Sequence, residues 1–336
     1  MNMAHEKRTG MARETDGHPM SPCSLVTATK LSYAGEDSRT DHPVELTPQH
    51  TTETRRLGIR TWQSVQPELA SGLSDARLQL HYAAQFASAA GISFLPPEPD
   101  DSHTSLEWLP EFAGLFSHLI PAKKPFRVGV RFAELALLVV PEPRTTIAES
   151  RLNRCTIGET TDWLRSQIES QGADPERYTL RRHYEIPYHP LASGSAFDTS
   201  ERAQFEEMSK WFSNGAVILS DLVRSTSGAS EVRCWPHHFD ISTLIELSPD
   251  RAIGVGLEPG DTDYSEPYFY VNMSPKPTAA EVRSRPLAGN GTWHTNGWIG
   301  AILPGSRLGA PATQEPQVRE FLKSATSIAR EVVGQN

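Results

Sequence analysis

From Leu69 onward, Leu73, Ala76, Leu80, Ala83 and Ala87 recur at steps of three and four residues, and Gly91 offers a stop. That spacing places them on one face of an amphipathic helix. After a Pro- and Asp-rich loop, "LPPEPDDSHTS", the period changes. Phe126, Val128, Val130 and Phe132 alternate with Arg127, Gly129 and Arg131, the signature of a half-buried strand. "ELALLVV" follows without alternation, as expected of a strand covered on both faces, and pairs with it as a hairpin. Thr156 and Glu159 open "TIGETTDWLRSQIESQG" as a capping box, with Gly172 as its end. Phe205, Met208, Phe212, Ala216, Leu219 and Val223 then trace a longer helix, with Asp198 or Thr199 as cap and Gly215 in its middle.

Between Glu231 and Pro304 the pattern turns to strands: "EVRCWPHHFDISTLIEL", "AIGVGLEP", "PYFYVNM" and "TWHTNGWIGAIL", separated by Pro, Gly and Asp clusters. A final helix carries Val318, Phe321, Leu322, Ala325, Ile328 and Val332 on one face. Elements in blocks rather than strict βαβ alternation predict an α+β fold. The sheet is expected to be mostly antiparallel, to lie in the C-terminal half, and to be packed by several amphipathic helices. No internal repeat shows at a fixed period.

Composition changes this picture at one end. Residues 1–56 hold a single aromatic, Tyr33, among many Thr, Glu, Arg, His and Pro. A segment so poor in apolar surface cannot offset its ordering entropy, so 1–56 reads as a disordered tail and 57–336 as one α+β domain. Net charge is −9 with no basic run, which disfavours nucleic acid as a partner. Cys23, Cys155 and Cys234 are scattered and lack C-x-x-C spacing, which points to a reducing compartment rather than a disulfide framework. Apolar runs such as Leu135 to Val140 are far too short for a bilayer span, and the N-terminus has no apolar signal core. The expectation is a soluble, cytoplasmic protein with a small-molecule substrate and no membrane partner.

The candidate chemistry centres on "CWPHHFDIST". On a strand, His238 and Asp240 share a face and His237 points away; His294 in "WHTNGW" supplies a distant imidazole. An H-x-D pair with one remote histidine is the ligand set of a two-histidine, one-carboxylate site for a divalent metal, Fe or Zn. Arg307 follows His294 by thirteen residues (307 minus 294). That order resembles the 2-oxoglutarate-dependent oxygenases, in which the Arg binds the cosubstrate carboxylate. On this reading His238, Asp240 and His294 hold the metal, Glu258 or His81 moves protons, and Arg307 holds an anionic group. The alternatives are three. His237 or His238 donates to a backbone carbonyl while Asp240 caps or pairs with Arg233 or Arg251. Or a metal-free aromatic pocket binds a ligand or serves a cofactor-independent cyclase or isomerase, drawing on Trp235, Tyr268, Tyr270, Trp293 and Trp298. Or the acidic tail and loops bind a protein partner. His103 and the Asp100–Asp101 pair join the site only if the loop folds back on His238. Asp261, Asp263 and Glu266 read as an acidic hairpin loop. Dinucleotide, Walker A and G-x-S-x-G signatures are absent.

"LQLHYAAQ", "PDDSHTSLEWL", "CWPHHFDI", "GVGLEPGDTDYSEPYFYV" and "WHTNGWIGAIL" together resemble an uncharacterised family of bacterial proteins over about Leu78 to Leu303. The resemblance implies a soluble bacterial protein with a single α+β unit, and it carries no catalytic residues with it.

Overall fold

The computed structural model describes residues 26–30, 61–142 and 146–334. Apart from Val26–Lys30 (β1), an antiparallel neighbour of Thr146–Arg151 (β6), the expected tail lies outside the described residues. The architecture is α+β, built on two antiparallel six-stranded sheets. The first runs β1-β6-β5-β4-β3-β2, with β2 at Glu107–Leu109, β3 at Gly114–Phe116, β4 at Phe126–Arg131 and β5 at Ala136–Pro141. The expected hairpin is β4–β5. Its neighbours β2 and β3 are three residues each, too short for any periodicity to register.

The second sheet is the one expected in the C-terminal half. Its strands are β7 (Arg233–Trp235), β8 (Asp240–Ser248), β9 (Arg251–Glu258), β10 (Tyr268–Ser274), β11 (Thr292–His294) and β12 (Gly300–Pro304). They are ordered β11-β12-β10-β9-β8-β7. The two sheets meet edge to edge, because Leu106 and Cys234 exchange backbone hydrogen bonds of 2.9 and 2.8 Å. This places β2 beside β7.

Three long helices cover one face of the joined sheets. Helix α1 (Ser74–Phe94) lies on β3 and β4; α3 (Arg202–Ser225) crosses β2, β8 and β9; α5 (Pro311–Gly334) packs on β9, β10 and β12. Their apolar stripes and the inner faces of both sheets form one contiguous core from Val65 to Val333. Gly215 lets α3 close on the sheet, since a Cβ there would stand 2.9 Å from Leu257 Cδ2. Gly91 does not stop α1. A Cβ at that position would meet the His103 carbonyl oxygen at 2.2 Å, so the glycine admits the following turn and the helix runs on to Phe94. Helix α2 (Ile157–Ser170) has the expected capping box, Thr156 Oγ1 accepting from Glu159 N, and Gly172 follows at φ 80°. Helix α3 starts later than expected, after Glu201, and neither Asp198 nor Thr199 caps it.

The two halves repeat one plan, although no sequence period announces it. Helix α1, β2, a four-residue turn, β3, β4, β5, β6 and α2 are followed by α3, β7, a four-residue turn, β8, β9, β10, β12 and α5. A short helix, α4 (Ala279–Arg283), and β11 are inserted before β12. In β2–β3 Leu109 pairs with Gly114 and Glu107 with Phe116; in β7–β8 Trp235 pairs with Asp240 and Arg233 with Ser242. Equivalent residues stand 126 positions apart (240 minus 114). The residues that end the two turns, Ala113 and Phe239, both take left-handed backbone, at φ 48° and 69°.

Candidate functional site on the outer face of the C-terminal sheet

The two adjacent histidines do not lie in a strand. Pro236–Phe239 is a tight turn between β7 and β8, closed by Phe239 N–H donating to the Trp235 carbonyl at 2.7 Å. Left-handed backbone at a phenylalanine costs about 1–3 kcal/mol and persists only where packing enforces it. Here the Phe239 ring is buried, stacked on His81 at 4.9 Å and packed on Phe212 at 5.1 Å. Two donors from α1 hold the turn from behind: His81 Nε2–H at 2.8 Å and Gln85 Nε2 at 2.9 Å, both to the Pro236 carbonyl. Burial drives His81 down to about 4, opposed by that carbonyl and helped slightly by Arg77. A neutral, buried ring with its one proton engaged is a support for the turn. His81, expected from the sequence as a proton carrier, stands behind the turn and is not among the residues lining the hollow.

In front of the turn, the outer faces of β7–β10 form a hollow of about 460 Å³, lined in part by Trp235, His238, Asp240, Ser242, Tyr270 and Asn272. Asp240 begins β8 and is only 6% exposed. The Tyr270 hydroxyl donates to its Oδ2 at 2.6 Å, while Oδ1 has no hydrogen-bond partner. Burial lifts the Asp240 carboxyl above its ordinary range; the Tyr270 bond, the nearby His238 and the Ser242 hydroxyl all pull the other way. Tyr270 is itself pushed well above the usual phenol value by burial and by Asp240. Its ring lies over Gly256, where a Cβ would come within 2.6 Å of it. The glycine is what lets the tyrosine lie flat enough to reach Asp240.

Glu258 ends β9 on the same face, opposite Tyr268 of β10. At 8% exposure its carboxyl is held well above the ordinary range by burial, by Asp240 and by Asp261, with Arg77 opposing. A hydrogen-bonded chain leads away from here across the sheet. Tyr268 donates to Asp261 Oδ2 at 2.7 Å, and Asp261 Oδ1 caps the backbone of Asp263 and Tyr264. His294 Nε2 faces the Asn296 carbonyl and so carries the proton, which leaves Nδ1 to accept from the Tyr264 hydroxyl at 2.8 Å. His294 also stacks on Trp298 at 4.4 Å.

The expected metal set is thus only partly assembled. His238 and Asp240 line one hollow, but His294 sits at the opposite edge of the sheet, because β9, β10 and β12 lie between β8 and β11. Four strand spacings are about 19 Å, whereas ligands to Zn or Fe must stand about 2.0–2.2 Å from a common point. Among the described residues no group of three His, Cys, Asp or Glu side chains has metal-binding geometry. Arg307 is exposed and turned toward the Asn290 carbonyl, away from the hollow. His103 accepts from Glu98 N in its own loop, and Asp100 alone of that loop reaches the hollow. Asp240 pairs with neither Arg233 nor Arg251; its partner is Tyr270. Tyr270 was expected only as an aromatic pocket wall; its bond to Asp240, and Ser242 and Asn272 beside it, escaped the sequence reading. The signal was the alternation Tyr268-Phe269-Tyr270-Val271-Asn272-Met273, which puts two phenols and an amide on the face where β9 offers Gly256 and Gly254.

No protein-family model matches the chain, and neither the curated proteins nor the solved structures hold a match to it. Among the described residues no helix is long and apolar enough to cross a membrane.

Proposed function

We propose that the protein binds a small molecule in the outer hollow of the C-terminal sheet and acts on it by metal-free general acid–base chemistry, as a cofactor-independent isomerase or cyclase does. The reading rests on Asp240. Its carboxyl is buried at a concave surface, one oxygen is fixed by Tyr270 and the other is unpartnered. A carboxyl whose ionisation is shifted toward neutral pH is suited to give or take a proton. Tyr270 orients it, burial discourages its ionisation, and His238 on the same wall is placed to pass the proton to solvent. Trp235 supplies an apolar surface for the ligand, in keeping with pockets that combine aromatic walls and a few convergent polar groups.

The test is a thermal-shift screen of a small-molecule library against the wild-type chain and Asp240→Asn, followed by incubation of each hit in D₂O. The expected result is a class of ligands that bind the wild type, exchange hydrogen for deuterium on it, and lose that exchange with Asp240→Asn. Ligands that exchange equally well on the variant would contradict the proposal. So would a stoichiometric metal in the purified protein that His238→Ala and His294→Ala each abolish; that outcome would restore the H-x-D…H reading with an iron or zinc centre.

A further inference from the structure

A second cleft lies where the two halves meet. The strands of the two sheets meet at the Leu106–Cys234 bridge. Beside that bridge is a cleft of about 580 Å³, lined in part by Leu106, Trp108 and the α3 residues Ala216, Ser220 and Val223. Three guanidinium groups line it: Arg127 from the N-terminal half, and Arg224 and Arg233 from the C-terminal half. The carboxylates on its walls are Glu107, whose side chain is 54% exposed, and Glu231, at 86%. The whole chain carries −9, so a locally cationic cleft runs against its average.

The arginines are not consumed by these neighbours. Arg127 Nη1 donates to the Ser117 carbonyl at 2.8 Å and reaches Glu107 at a long 3.3 Å, yet its buried Nε has no acceptor. Arg233 stands 3.6 Å from Glu231, outside hydrogen-bond distance, and its buried Nε likewise has no acceptor. Arg224 is held by Asp221 one turn back on α3. Arg127 and Arg233, one from each half, thus line one cleft without being fully engaged by the carboxylates beside them. The guanidinium fork matches the paired oxygens of a carboxylate or phosphate.

We infer that this seam is an oxyanion site, taking the phosphate or carboxylate group of a small molecule between Arg127 of one half and Arg233 of the other. A ligand held there contacts both halves where they meet. Arg233 also borders the Asp240 hollow, so the two sites adjoin. The seam site nevertheless stands on its own donors and does not depend on any chemistry at Asp240.

Calorimetric titration of the full chain with inorganic phosphate and, separately, with succinate tests it and distinguishes the two ligand sources. The expected result is saturable binding of at least one anion. Arg127→Gln and Arg233→Gln should each weaken it by about tenfold or more, the loss expected for a charge-assisted bidentate contact. Arg127→Lys, which keeps charge but not the fork, should recover only part of it. Glu107→Gln, a change at an exposed position, should tighten binding by removing the competing carboxylate, and it keeps the test open if an arginine variant fails to fold. Asp240→Asn should bind the anion as the wild type does, whatever becomes of the hollow. The inference is overturned if neither anion binds saturably, if folded Arg127→Gln and Arg233→Gln bind as the wild type does, or if Glu107→Gln leaves the affinity unchanged.

Discussion

In the N-terminal half the Phe116 ring lies over Gly129, and Leu109, Phe112, Leu138 and Val140 close around it as a small dry cluster on the outer face. In the C-terminal half the corresponding glycine, Gly256, lies beneath Tyr270, and the residue paired with it is Ser242 instead of Phe116. Leu109 is answered by Trp235 and Gly114 by Asp240. One strand plan therefore carries two outer faces. Where the paired strand supplies its own aromatic cover the face is sealed. Where it supplies a serine, the neighbouring strand reaches over with a tyrosine, and a polar hollow is left around the carboxylate that the tyrosine finds. The comparison separates what the fold requires, a glycine with a ring above it, from what the site adds.

The largest effect should come from removing each half's version of the same position. Phe116→Ala deletes a fully buried ring and should cost about 3–5 kcal/mol, while Ser242→Ala, bordering the hollow, should cost less than about 1 kcal/mol. Urea denaturation of the two variants measures both, and comparable losses would break the contrast between a sealed and an open face. Next, Gly256→Val would drive a side chain into Tyr270 and should cost about 1–3 kcal/mol. It should also break the Tyr270–Asp240 bond, visible as loss of the downfield Tyr270 hydroxyl resonance; a retained resonance would show that the ring does not need the glycine.

A smaller effect concerns pH. Asp240 and Glu258 hold their protons to higher pH in the folded chain than in the unfolded one. The folded state therefore binds more protons above the ordinary carboxylate range. The stability this brings is full below that range and is lost as pH rises through the raised values. Glu258→Gln removes one such group, so the variant should gain stability relative to the wild type as pH rises, by about 1.4 kcal/mol for each unit of upward shift. A wild type whose stability instead climbs with pH through this window, with the variant in parallel, would contradict the burial of these carboxyls.

Much of the frame was legible in the residues. The 3–4 spacing on α1, α3 and α5, the capping box at Thr156 and the alternation on β4 depend on local periodicity and fall where expected. The duplication was not legible. Its halves share backbone pairing at equivalent positions while Gly114 and Asp240, or Phe116 and Ser242, have nothing chemical in common. The site was half legible. Asp240 and His238 stood out as polar residues in an apolar run, and Glu258 as an acid straight off a strand. Period-two reasoning then failed at Pro236, because the chain turns there and His238 owes its place to the turn. His294 lies on the same face as Asp240 by register, but strand order, which no local pattern encodes, puts three strands between them.

The central claim, that Asp240 is the proton-holding group of the hollow and that Tyr270 governs it, is tested most directly by a ¹³C-carboxyl NMR titration of Asp240 in the wild type and in Tyr270→Phe. The predicted midpoint in the wild type lies above the usual aspartate value of about 3.9, and it moves further up when the phenol is removed, because that hydrogen bond favours the ionised form. A midpoint at or below the usual value, or one that Tyr270→Phe leaves in place, would contradict the account.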